Sequence, residues 1–264
     1  MSILLLALAA GAASVPPLQI PRYVGKPAAT APTQAEHKAR GIKCTALAKA
    51  DPAKAEAEAR DWMNAGGGTA ARQCLGLSQA AREQWPTATA TFENAAKDAQ
   101  LAHNPIAVVL WMQAGNAALA GDDPARARAN LDKALALPGL SDEMKGEAHL
   151  DRARAGVEVN DLSGAKADLE QATKLVPRDP LGWLLRANLA RRMNDLPTAF
   201  ASIREAAALS PDDASIAYEA GNIAAASGNI DDAKAAWTRA AQKAPESNAG
   251  RAAALALQGG DAPK

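Results

Sequence analysis

The chain has 264 residues, of which 48% are hydrophobic and only 3% aromatic, so a sizeable core is possible but must be built largely from alanine and other aliphatic side chains. This apolar fraction argues against disorder over the whole length, and because alanine strongly favours helix, the composition favours many closely packed helices over a sheet. Lysine plus arginine and aspartate plus glutamate are equal at 29 each, and no basic run is present, so we expect no nucleic-acid partner.

The amino-terminal residues resemble a bacterial secretory signal peptide. Residues 3–13 form an apolar run that ends in small residues and is too short to span a bilayer comfortably, although Met1 and Ser2 supply no basic side chain before it. We predict a signal peptide over 1–14 and a periplasmic or secreted mature protein without an integral membrane segment. An uncleaved anchor or a misassigned start is the alternative. Residues 15–42, rich in proline and alanine at their start, are predicted to be a largely disordered linker.

A helical hairpin is predicted to follow the linker and to cap the fold over residues 43–68. Its two helices, within Lys43 to Met63, are separated at Asp51 and Pro52. Proline is favoured in the first turn of a helix, and an aspartate just before it is well placed to cap the free backbone amides.

Cys44 and Cys74 are the only two cysteines of the chain. In an oxidising compartment a disulfide between them would tie the capping hairpin to the first repeat. The alternative is that they are two small buried side chains in separate helices.

A repeat of 34 residues organises the second half of the chain. In each copy a small residue is followed by a large apolar residue after four positions, a small residue after three more, and a proline after five more. The first three lie on one face of a helix, which the proline then ends. The gapless copies are Ala165, Leu169, Ala172 and Pro177; Ala199, Ile203, Ala206 and Pro211; and Ala233, Trp237, Ala240 and Pro245.

A first helix precedes each of these second helices. It is predicted to end at Asn160, Asn194 and Gly228, which recur at the same spacing and tolerate the left-handed conformation that ends many helices. Within the first helices a small residue recurs where two helices of a hairpin would approach closely, while a large neighbour fills the adjoining space. These small residues are Gly76, Gly115, Ala153, Ala187 and Gly221.

These features resemble the tetratricopeptide repeat family, whose pattern is Trp, a Leu-Gly pair, Ala, an aromatic, Ala and Pro. The resemblance implies an all-α, right-handed α-solenoid of five repeats over residues 69–245, followed by a capping helix and polar tail at 248–264. The repeats are predicted at 69–102, 108–141, 146–179, 180–213 and 214–247. Intervals of 39 and 38 among the early copies predict extra loop residues near 100–104 and 139–143. The motif is approached by Trp183, Ala187, Ala199, Ile203, Ala206 and Pro211, by Gly221, Ala233, Trp237, Ala240 and Pro245, by Leu75, Gly76, Ala88, Phe92 and Ala95, and by Trp111, Gly115, Ala127, Leu131 and Ala134.

The resemblance also implies that the first helices line a concave groove that binds an extended peptide or a helix of another protein. Asparagines at matching places could hold a peptide backbone, and arginines beside them could bind a carboxylate. The alternative is that these asparagines form intramolecular hydrogen bonds or face water. The predicted groove residues are Met112, Asn116, Leu150, Arg154, Leu184, Asn188, Arg191, Arg192, Tyr218 and Asn222.

Catalytic and metal-binding signatures are weak. The three histidines are scattered, and the aspartate pairs at 122–123, 212–213 and 231–232 stand at helix starts, where capping explains them. We therefore predict a non-catalytic interaction scaffold or adaptor of the cell envelope, with no metal and no cofactor. Two alternatives are a self-assembling structural solenoid and a small-molecule binder or enzyme accessory built on the same scaffold.

Overall fold

The computed structural model describes residues 34–259, and within this range the protein consists of helices without any strand. Most helices are 13–17 residues long, which is typical of repeats built from helical hairpins. The helices are α1 (Gln34–Ala50), α2 (Pro52–Asn64), α3 (Gly68–Ala81), α4 (Trp85–Leu101), α5 (Ile106–Ala120), α6 (Pro124–Ala136), α7 (Asp142–Glu158), α8 (Leu162–Leu175), α9 (Pro180–Arg192), α10 (Leu196–Leu209), α11 (Ala214–Ala226), α12 (Ile230–Lys243) and α13 (Asn248–Leu257).

Consecutive helices pack against each other in a stack of hairpins. Five hairpins, from α3–α4 to α11–α12, correspond to the five predicted repeats, with α1–α2 before them and α13 after them. The odd-numbered helices also contact one another along the stack, for example α1 with α3, α5 with α7 and α9 with α11. Because elements on the inside of a curved stack lie closest together, we assign the odd-numbered helices to the inner face. The predicted all-α solenoid is confirmed.

The amino-terminal boundary differs from the prediction. Helix α1 begins at Gln34, so residues 34–42 are helical rather than part of a linker. Their alanine, glutamate and lysine side chains favour helix, but they show no apolar stripe that would have predicted one. The predicted signal peptide, the rest of the linker and the last residues of the polar tail lie outside the described residues.

The predicted helix break at Asp51 and Pro52 is confirmed. Pro52 opens α2, and the Asp51 side chain accepts a hydrogen bond of 3.0 Å from the backbone amide of Lys54. Asp123 and Asp213 cap α6 and α11 in the same way, as the capping interpretation of the aspartate pairs predicts.

Turns between the two helices of a repeat carry the expected left-handed residues. Asn160 and Asn194 have φ of 59° and 60°, and Gly228 has φ of 85°. Glu83 and Asp122 adopt the same conformation at the equivalent turns of the first two repeats, with φ of 58° each. The tight turn therefore recurs in all five repeats, although neither glutamate nor aspartate marked it in the sequence.

Small residues of the first helices pack against bulky residues of the second helices. A Cβ atom added at Gly115 would lie 2.7 Å from Leu131 Cγ, and one at Gly76 would lie 2.6 Å from the Phe92 ring. Real Cβ atoms do not approach other atoms so closely, so glycine is required at both places. The predicted alternation of small and large side chains is confirmed and sets the distance between the helices of each hairpin.

Within the described residues, no helix is both long and apolar enough to cross a membrane.

Candidate functional site

The inner face holds a groove between α1 and α5, with α3 as its floor. Its volume is about 850 Å³. The side chains along it are apolar or polar without formal charge, apart from His37 at the rim. They include Ile42 and Thr45 of α1, Thr69, Gln73 and Leu77 of α3, and Ile106 and Gln113 of α5.

One hydrogen bond crosses the floor of this groove. Gln73 Nε2 donates to Gln113 Oε1 over 3.1 Å, which links α3 to α5. Each amide keeps further donor and acceptor capacity, because a glutamine side chain carries two N–H donors and an oxygen with two lone pairs. The floor can therefore hydrogen-bond to a ligand without breaking the link between the repeats.

The first wall of the groove, α1, packs on α2 and α3 with few buried side chains. A disulfide joins Cys44 to Cys74 of α3, with the two Cα atoms 5.8 Å apart. Two turns before Cys44, the His37 ring stacks on Trp62 of α2 with centroids 5.9 Å apart. Among the described side chains of α1, only Cys44 and Ala48 are buried. The disulfide is therefore the main tie between α1 and the repeats.

Two of the predicted groove residues belong to the core instead. Met112 and Leu150 are only 7% and 4% exposed. Met112 packs in the cluster formed by α4 and α5, and Leu150 packs in the cluster of α7, α8 and α9. The prediction that they face the groove is wrong, because each points into the contact between successive repeats.

Asn116 and Arg154 both interact with Asp151 of α7. Arg154 Nη1 lies 3.0 Å from Asp151 Oδ1, and Asn116 lies close enough to this carboxylate to favour its charged form. Burial raises the pKa of Asp151, and its contacts with Arg154 and Asn116 oppose that effect. Both predicted residues thus have a partner within the protein.

Glu219 of α11 brings together three more of the predicted residues. Its carboxylate accepts hydrogen bonds from Arg191 Nε over 2.7 Å, from Asn188 Nδ2 over 3.1 Å and from Asn222 Nδ2 over 3.2 Å. Asn222 Oδ1 in turn accepts from Trp237 Nε1 over 3.1 Å. Asn188 and Asn222 therefore form the intramolecular bonds that were the alternative to peptide binding.

The remaining predicted residues are partly accessible. Leu184 and Tyr218 are half-buried and Arg192 is exposed. The Tyr218 hydroxyl is buried and has no hydrogen-bond partner among the described residues. Arg192 lines a cavity of about 230 Å³ together with Arg154 and Asn188, on the inner face between α7 and α9. The structure thus brings three of the ten predicted residues to one small cavity.

The sequence analysis missed Asp151 and Glu219, which bind predicted asparagines and arginines, and Gln113, which binds Gln73. Gln113, Asp151 and Glu219 occupy equivalent positions, each two residues before the small residue of close approach. All three have side chains that can hydrogen-bond to a neighbouring repeat. The recurrence of such a residue at this position was the signal that could have revealed the pairing.

Two further polar clusters join helices. The cluster of Glu93 links the second helices of neighbouring repeats, α4 and α6, and the cluster of Asp168 links the two helices of one hairpin, α7 and α8. Glu93 of α4 accepts from Arg126 and Asn130 of α6, and the hydrogen bond from Arg126 is the main reason that its pKa falls to about 2. Asp168 of α8 accepts from Arg152, whose Nε lies 2.9 Å away, and contacts His149 at 2.8 Å.

For Asp168, burial favours the neutral acid, but the contacts with His149 and Arg152 outweigh it and lower the pKa. Within 34–259, no group of histidine, cysteine and acidic side chains is arranged to hold a metal ion. The polar clusters are therefore ion pairs and hydrogen bonds that join helices.

Comparison with known proteins gives a likeness of structure rather than of sequence. No family model and no curated protein matches the chain. Among solved structures, MamA is 16% identical with a TM-score of 0.57, and the match covers 67% of this chain and 92% of that one. PilF from Pseudomonas aeruginosa is 14% identical with a TM-score of 0.64, covering 81% and 96%.

A third similar structure is YrrB, described as a tetratricopeptide repeat protein with an unusual peptide-binding site. It is 18% identical with a TM-score of 0.56, and the match covers 71% of this chain and 91% of that one. Together with the recurring hairpins, these likenesses show that the chain has the tetratricopeptide repeat fold.

Proposed function

We propose that the protein is a non-catalytic scaffold that binds a segment of another protein in the groove between α1 and α5. The observation that carries the proposal is the open groove of about 850 Å³ on the inner face, which combines aliphatic side chains with amides and hydroxyls. Apolar surface gives affinity, and amides that keep free hydrogen-bonding capacity can bind a peptide backbone. The peptide-binding site reported for YrrB supports the same use of this fold.

The chemistry of the groove favours a particular kind of partner segment. Carboxylate or ammonium groups would gain no ion pair from the side chains of α3 and α5 along the groove, which are uncharged. Ile42, by contrast, is 66% exposed and Leu77 of α3 is half-buried, so both offer apolar surface to a ligand. The proposed partner segment is therefore uncharged where it contacts the groove and carries aliphatic side chains.

The charged residues of repeats 3 to 5 have a different role in this proposal. Arg191 and Asn188 of α9 are bonded to Glu219 of α11, so they hold these two first helices in register, whereas Arg154 pairs with Asp151 within α7. The small cavity at Arg192 extends the inner face but is less than a third of the size of the groove. The principal contact with the partner is accordingly placed at the amino-terminal end of the stack.

We also propose that the protein works in the cell envelope. The signal-peptide-like run over 1–14, outside the described residues, and a disulfide that an oxidising compartment would preserve both support this location. A fusion of alkaline phosphatase to the carboxyl terminus should be active in cells and inactive when residues 1–14 are removed. Equal activity of the two fusions would contradict export by this segment.

A matched pair of variants tests binding in the groove. Ile42→Asp places a charge in the groove at an exposed side chain, whereas Leu255→Asp makes the same change at a leucine that is 62% exposed on α13, remote from the groove. Proteins captured from native extracts by the wild-type chain should be lost with Ile42→Asp and retained with Leu255→Asp. Retention of the same partners by both variants would remove the groove from the account.

A further inference from the structure

A second cavity, of about 950 Å³, lies at the edge of the stack where the loops between repeats meet. It is lined by the end of α4, the loop between α4 and α5, the start of α5, and the loop after α6. These two loops are the places where the repeat interval departs from 34 residues. The extra residues of the first irregular interval and the first residues of the second loop, Leu137 and Pro138, therefore line one common cavity.

The walls of this cavity are mainly apolar. Val108 is 4% exposed and forms part of the floor, while Leu137 and Pro138 form the wall contributed by the second loop. Leu101 stands at the mouth and is 82% exposed, the highest exposure among the large hydrophobic side chains of the described residues. An apolar cavity with an exposed leucine at its entrance is suited to an aliphatic ligand.

The backbone carbonyls around the mouth already have donors. At the end of α4, the carbonyls of Asp98, Ala99 and Gln100 accept from the amides of the following loop over 2.8–3.1 Å. The side-chain oxygen of Asn104 accepts from Ile106, and that of Gln100 accepts from Trp111. These five acceptors are thus engaged within the protein.

Lys97 supplies a formal positive charge at the same mouth. Lys97 and His103 line the cavity, and none of the described residues that line it is acidic. Glu93 lies one turn before Lys97 and interacts with its charge, but the Glu93 oxygens are hydrogen-bonded to Arg126 and Asn130, and Asp98 is paired with Arg72. The start of α5, which adjoins the cavity, adds the partial positive charge of a helix amino terminus.

We propose that this cavity binds a medium-chain aliphatic carboxylate. The aliphatic chain lies against Leu101, Val108 and Leu137, and the carboxylate pairs with Lys97 at the mouth. The volume lies within the range of small-molecule sites, which is roughly 300–1,000 Å³. This site adjoins the groove between α1 and α5, since Asn104 lines both, but Lys97, Leu101, Val108 and Leu137 do not line the groove.

The test uses the full chain isolated from its native compartment and sodium decanoate below its micelle-forming concentration. Binding is followed by NMR through the methyl groups of Val108 and Leu137, which should shift and reach saturation. Decyltrimethylammonium, with the same chain length and the opposite charge, should bind at least tenfold more weakly. Acetate, which lacks the chain, should produce no saturable shift at these methyl groups.

Two variants at exposed side chains, with matched controls, locate the site. Lys97→Gln should weaken decanoate binding at least tenfold, and Leu101→Asp should abolish it. Lys234→Gln on α12 and Leu255→Asp on α13 make the same changes at exposed residues elsewhere and should retain wild-type affinity. The absence of saturable shifts, equal affinity for the two headgroups, or equal loss in a variant and its control would each overturn the proposal.

Discussion

Removal of the disulfide between Cys44 and Cys74 should release α1 from the stack while the five repeats stay folded. The bridge closes a loop with a sequence separation of 30 residues, and the chain-entropy relation assigns such a loop about 3–4 kcal/mol. This corresponds to roughly several hundred-fold in the equilibrium between docked and released α1. Cys44 and Ala48 are the only buried residues among the described side chains of α1, so the contacts that remain are largely exposed ones, such as those of His37 and Arg40 with the Trp62 ring.

Hydrogen exchange measures this effect helix by helix. In the double variant Cys44→Ser/Cys74→Ser, amides of α1 should lose protection, whereas those of α7 to α12 should exchange as in the wild type. Wild-type protein treated with a thiol reductant provides the control, because it keeps both sulfur atoms and loses only the bond. Unchanged protection of α1 in the variant and in the reduced protein would refute the assignment of the disulfide as its main tie.

Three further predictions concern the packing and the polar clusters. Gly115→Ala should destabilise the protein by about 1–3 kcal/mol in urea unfolding, because the added Cβ would meet Leu131. Gly41→Ala has open space around it and should be neutral or stabilising. Similar effects of the two substitutions would contradict the packing argument. Glu219→Ala should lower the free energy of unfolding by about 3–5 kcal/mol in thermal unfolding, because it leaves the largely buried Arg191 guanidinium without its partner. A loss below about 1 kcal/mol would show that this pair does not join the repeats. The pKa of Glu93 is lowered to about 2, so its ion pair stabilises the folded state fully above the unfolded pKa near 4.5 and loses that effect as the pH falls towards 2. Glu93→Gln should therefore remove roughly 2 kcal/mol of acid-dependent stability, a figure that allows for screening at the partly exposed Arg126. Identical pH profiles of stability for the variant and the wild type would contradict this.

The repeat architecture could be predicted because the same physical requirement recurs in each copy. Close approach of two helices demands a small residue such as Gly115 beside a bulky one such as Leu131, and the spacing of these pairs gives the helix faces directly. Asn160 and Asn194 marked the turns for a similar reason, since few residues adopt a left-handed backbone. Helix α1 was misjudged because it contacts the stack through few buried side chains and so carries no apolar stripe.

The candidate site was harder to predict because the sequence shows which residues repeat but not which of them bind one another. Asn188 and Asn222 lie on first helices as predicted, but their side-chain amides donate hydrogen bonds to the carboxylate of Glu219. The inner-face groove depends on α1, whose helical residues 34–42 were predicted to be linker, so its walls could not be assembled from the repeat pattern alone. The second cavity is formed by two loops that are distant in sequence. The irregular repeat intervals predicted where these loops lie along the chain but not that they meet in space.

Site-specific photocrosslinking in intact cells tests the central proposal most directly. A photoreactive amino acid is placed at Ile42 or Thr69 in the groove, and at Phe200, which is 38% exposed on α10, as an outer-face control. We expect both groove positions to crosslink the same partner protein and the control to crosslink none of it. Crosslinking of that partner only from Phe200, or from none of the three positions, would contradict binding on the inner face.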